Sequence, residues 1–160
     1  MKTFTDNTGR TWTVTVNVEA VKRVRGLVNV NLLEVLDGKL LEQLAGDPIL
    51  LCDLVYALCK PEADANGVSD VEFGRAMAGD AIDSATAALM EELVGFFPKE
   101  RRRLLAKALA KLRMLEAKAV DVAMEKLDSP ALEQEMADAL GKLGGSSGNS
   151  PASSASTPDR

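Results

Sequence analysis

Between Pro98 and Pro130 runs "KERRRLLAKALAKLRMLEAKAVDVAMEKLDS", without one glycine or proline to interrupt it. Nearly every residue in it is a strong helix former. A helix of that length reaches about 40 Å, more than a domain of 160 residues needs. Its apolar stripe is Leu105, Leu109, Leu112, Leu115, Ala119, Ala123 and Leu127. Ser129 and Pro130 then supply a cap and a first turn for one more short helix. With aromatics at only 4% of the chain, the class is mainly α.

The chain opens differently. In "KTFTDNTGRTWTVTV" Thr11, Thr13 and Thr15 alternate with Trp12, Val14 and Val16, the period of a half-buried strand. "DNTG" holds residues that accept left-handed backbone, so a short hairpin is expected. An isolated hairpin is marginal in water, and its apolar face should lie on a helix. Asn17 is placed to cap the first helix, with Val18, Val21, Val24 and Val28 at helical spacing and Gly26 weakening or ending it. "NLLEVLDG" and "KLLEQLAG" read as two short helical pieces closed by glycine. "DPILLCDLVYALCK" is apolar nearly all round, with Asp47 as cap and Pro48 first in the helix; such a helix is central in the fold or covered by a partner. The stripe Ile82, Ala85, Leu89, Leu93, Phe96 and Phe97 marks another helix, ending at Pro98.

The expected architecture is therefore an N-terminal β-hairpin packed on a multi-helix domain over residues 1–98. A long basic helix with a short terminal one follows over 99–143, then a disordered Gly/Ser-rich tail over 144–160. No apolar run is long enough to span a bilayer, and Met1-Lys2 leads into polar residues rather than a signal peptide. Cys52 and Cys59 lie about 10 Å apart along one helix, too far for a disulfide.

Charge is unevenly spread. Residues 1–98 hold 15 acidic and 8 basic side chains, residues 99–118 hold 8 basic and 2 acidic, and the whole chain is at −5. A basic block between acidic ones pairs internally or with another copy more often than with phosphate. Histidine is absent, which removes the commonest general base and transition-metal ligand. No nucleophile has a base beside it, so the chain reads as a non-enzyme with no cofactor and no metal.

"KPEADANGVSDVEF" tests that reading. Laid on a calcium-loop template with Gly67 at the sixth position, Glu62, Asp64 and Asn66 become ligands. The twelfth position, which must be a bidentate acid, is Phe73, and Glu72 comes one residue early. "SDVE" instead makes a capping box of Ser69 and Glu72, with Val68 and Phe73 as the hydrophobic staple. Glu91 and Glu92 are adjacent and point apart around a helix. Arg101, Arg102 and Arg103 read as a solvated face or as an electrostatic contact for an acidic partner.

The order of parts carries more than any site. A hairpin "TGRTWTVTV" runs into "NVEAVKRVR", then "LLCDLVYALCKP", then "GVSDVEFGRAMAGD", then a helix closing on "VGFFP". Over residues 4–97 this resembles the tail assembly chaperones of long-tailed bacteriophages and related prophages. In many of those a G-[KR]-x-[YW] hairpin precedes the first helix and a DLLYAL…GVSxEEF segment sits mid-chain. The long basic helix and serine-rich tail depart from that pattern. The resemblance implies a binding protein in the cytoplasm of the bacterial host that covers the helical tape measure protein, helps recruit tail-tube protein, and is absent from the mature virion. It also implies a longer frameshifted form.

On this reading a small leucine-rich protein lays an apolar groove along an amphipathic client. The expected walls are Leu50, Leu51, Leu54, Val55 and Leu58, with Leu89, Leu93, Phe96 and Phe97. Self-association is a further expectation, membrane is not, and nucleic acid is disfavoured. The alternatives are a structural virion protein, such as a head–tail connector or tail terminator, and a small nucleic-acid regulator using the 99–118 helix.

Overall fold

A computed structural model describes residues 1–144. The chain is mainly α, with a two-stranded antiparallel hairpin at its start. Strands β1 (Lys2–Thr5) and β2 (Thr11–Val14) pair with Phe4 opposite Trp12. Helices follow as α1 (Val18–Val28), a 3-10 turn (Leu32–Asp37), α2 (Lys39–Gly46), α3 (Pro48–Ala65), α4 (Asp70–Ala76), α5 (Asp80–Phe96), α6 (Lys99–Leu127) and α7 (Pro130–Gly144). The expected tail beyond Gly144 lies outside the described residues. Among those described, no helix is long and apolar enough to cross a membrane.

The chain divides within α6 into two units, Met1–Ala110 and the residues from Lys111 on. The first unit runs past the boundary expected after Pro98 because Leu105 is buried and Leu109 packs against the same core.

The hairpin docks as its alternation requires. Trp12, Val14 and Val16 are buried, β1 lies along α5, and β2 lies against α3. Its turn is organised by one buried carboxylate. Asp6 accepts hydrogen bonds from the Thr8 and Arg10 amides, the Thr8 hydroxyl and the Trp12 indole, at 2.7–3.0 Å. Burial pushes the Asp6 pKa up, but the donors from Thr8, Trp12 and Arg10 outweigh it, and the group titrates below its ordinary value.

Asn17 caps α1 by accepting from the Ala20 amide at 2.8 Å. The helix continues through Gly26 and stops at Asn29, whose left-handed backbone (φ 58°) closes it. Helix α3 is the central element, burying Leu51, Leu54, Val55, Ala57, Leu58, Cys59 and Ala63. It extends beyond the expected end near Cys59 because Pro61 is accommodated inside it. A proline within a helix leaves the carbonyl four residues earlier without its amide donor. Here that carbonyl is Ala57's, and Arg23 of α1 donates to it from Nε at 2.8 Å and to the Leu58 carbonyl at 3.1 Å.

Phe73 sits at the centre of the aromatic core, 5.1 Å from Trp12, 5.3 Å from Tyr56 and 6.5 Å from Phe4 between ring centroids. It is placed there by the capping box. Ser69 accepts from the Glu72 amide at 3.3 Å while the Glu72 carboxylate accepts from the Ser69 amide at 3.0 Å. Val68 and Phe73, the staple pair, are both buried.

Candidate functional surface

The calcium-like stretch is occupied by structural tasks. Glu62 lies in α3 and accepts from the Thr13 amide at 2.9 Å, fastening β2. Asp64 pairs with Lys60, and the Asn66 side chain donates to the Glu62 carbonyl. Glu91 and Glu92 go to different partners. Glu91 bonds Lys2 at 2.7 Å and Glu92 accepts from the Val16 amide at 3.4 Å.

The expected groove does not open on the surface. Leu51, Leu54, Val55, Leu58, Leu89, Leu93 and Phe97 are all buried in the core of the first unit. Side chains that fill the space between helices of one chain cannot also wall a cleft for another. The strong apolar character of α3 goes with its central position. Leu50 and Phe96 alone among the nine are half-buried. Phe96 stacks edge-on against Phe97 at 5.3 Å. Leu50 lines an open notch with Leu27, Val28, Tyr56 and Asp53. Burial, and then the negative charges of Asp70 and Asp47, raise the Asp53 pKa.

The arginine run also divides. Arg102 donates to the Phe97 carbonyl from Nε at 3.3 Å and from Nη2 at 3.2 Å, tying down the end of α5. Arg101 and Arg103 are exposed. Lys107 in the first unit, and Lys111 and Lys118 in the second, are likewise exposed.

The first unit leaves Val18, Leu27, Ile49, Val71 and Leu104 exposed, and the second unit, described here by itself, exposes a further set of apolar side chains. Between Lys111 and Leu143 no described residue is buried, and only Ser129 and Leu132 are half-buried. Leu115 and Val122 are each 51% exposed, and Leu112, Met114, Val120, Met124 and Leu127 are also exposed on α6. Helix α7 starts at Ser129, whose hydroxyl accepts from the Leu132 amide at 3.3 Å. It exposes Met136, Leu140 and Leu143 to 59–79%. Exposed large apolar side chains gathered on one segment mark it as a candidate interaction site. Part of this stripe (Leu112, Leu115 and Leu127) was legible from spacing. The methionines and valines beside it were missed because they stand outside the strict helical period.

Comparison with known protein families, curated proteins and solved structures returns no match. The functional reading therefore stands on the residues themselves and on the order of motifs over residues 4–97.

Proposed function

We propose that this chain is a non-enzymatic assembly chaperone of the long-tailed phage type, which covers an amphipathic helical stretch of a tape measure protein and helps recruit tail-tube subunits. The observation that carries the reading is the order of motifs over residues 4–97, which resembles that family; the exposed apolar side chains of α6 beyond Lys111 and of α7 are the candidate client contact. Helix faces of this kind recognise other helices by laying apolar anchors side by side. Several weak contacts along one long client add up through effective concentration. The site of binding thus moves from the α3 and α5 leucines to the second unit. The first unit, with its hairpin and capping box, is the stable body that presents it.

Such a protein works in the host cytoplasm and leaves before the particle is complete. Mass spectrometry of purified particles tests this against a structural virion protein: the chaperone reading expects tail-tube and tape measure peptides but none from this chain. Abundant, stoichiometric peptides contradict it.

The basic segment 99–118, with 8 basic and 2 acidic side chains, favours one second reading, a nucleic-acid contact. A gel shift that weakens steeply with salt supports it. The chaperone reading expects no shift at physiological ionic strength.

A further inference from the structure

We propose that the apolar notch walled by α1, α3 and α4 of one copy takes Leu104 of a second copy, with that copy's Arg101 and Lys107 set against Asp53 and Asp70. The inference goes beyond the chaperone reading and does not depend on it. Every residue it uses lies in the first unit, Met1–Ala110.

The notch is an open hollow of about 430 Å³, lined by Leu27 and Val28 of α1, Leu50, Asp53 and Tyr56 of α3, and Asp70 of α4. Leu27 is 58% exposed, and Val28, Leu50 and Tyr56 are half-buried. A concave apolar wall with a few polar groups is the usual form of a binding site. Its charge narrows the occupant. Asp53 and Asp70 are exposed, and neither side chain makes an ion pair among the described residues. Lys60, which also lines the notch, is paired with Asp64. Burial, and then the charges of Asp70 and Asp47, hold the Asp53 pKa above its ordinary value. A cation brought in from outside works against both effects.

The complementary piece stands on the same unit. Five of the nine residues from Lys99 to Lys107 are basic, whereas residues 1–98 hold 15 acidic and 8 basic side chains. Within that run Leu104 is 69% exposed, although Leu105 beside it is buried. Arg101 and Lys107 stand three residues before and after Leu104, so they flank it on the surface of α6. Both are exposed. An apolar knob between two cations thus meets an apolar hollow bearing two carboxylates, the charge complementarity that fixes register across an interface.

Sedimentation equilibrium of the full chain tests the proposal. The weight-average mass should rise with concentration, and less steeply at high salt, because exposed pairs are screened. Asp53→Lys spoils only the notch and Leu104→Glu only the knob. Each should weaken association about tenfold, while helical circular dichroism and Trp12 fluorescence stay unchanged. Mixed in equal amounts, the two variants should form a 1:1 pair, because the first still offers a knob and the second still offers a notch. A chain that is monomeric at every concentration overturns the proposal and leaves the notch to another protein. Association that either variant leaves unchanged overturns it too, and assigns the contact to another surface. So does a mixture no heavier than its components.

Discussion

Arg23 and Pro61 are coupled through a carbonyl that neither owns. Pro61 leaves the Ala57 oxygen without a helical donor, and the Arg23 guanidinium supplies one at 2.8 Å while its Nη1 pairs with Glu19 at 2.6 Å. An unsatisfied carbonyl beside the core costs about 1–3 kcal/mol. Arg23→Ala should therefore lower stability by about 2 kcal/mol in denaturant titration. In a Pro61→Ala background, where residue 61 regains its amide, the same substitution should cost about half as much. Equal costs in both backgrounds refute the coupling.

Asp6 makes the hairpin acid-sensitive. Its folded-state pKa lies below the unfolded value, so the carboxylate form contributes stability that is complete above the unfolded pKa, near 3.9. That contribution is lost as pH falls from there through the folded pKa. The single tryptophan, Trp12, donates to Asp6 at 2.8 Å and reports the event by fluorescence. Asp6→Asn should cost about 2 kcal/mol at neutral pH and flatten the acid limb of the stability curve below pH ~4. An unchanged acid limb contradicts this account.

The contrast between Leu54 and Leu115 separates core from exposed surface. Leu54 is fully buried and Leu115 is 51% exposed. Leu54→Ala should cost about 2–5 kcal/mol by leaving a cavity. Leu115→Ala should shift stability by less than about 0.5 kcal/mol. Thermal melts of both variants decide the matter. A large loss at Leu115 places that residue in a core.

Cys59 is buried, and burial, then the Glu62 charge, pushes its thiol up to about 12. Cys52 is half-buried and raised less. Alkylation at mildly alkaline pH should modify Cys52 first, with Cys59 reacting only at the rate of opening. Equal rates contradict the placement of Cys59.

Much of the fold was written in local signals. Asn17, Asp47, Ser69 and Ser129 each cap the helix that their sequence context announces, and α6 runs between its two prolines as composition requires. What local reading missed is tertiary. Helix α3 runs on through Pro61, where Arg23 of another helix supplies the donor that the proline removes. The leucines of α3 read equally well as core or groove, because periodicity reports that a face is covered and not by what. The surface of α6 was legible only as a surplus, a helix longer than its domain can bury.

The most direct test of the proposed function is co-expression with the client it names, a phage tape measure protein. The wild-type chain should hold that client in the soluble fraction and co-purify with it. A Leu115→Glu, Val122→Glu, Leu140→Glu variant, folded by circular dichroism, should leave it in the pellet. A client equally soluble with the variant, or insoluble with the wild-type chain, contradicts the claim that the exposed face of α6 and α7 is the binding surface.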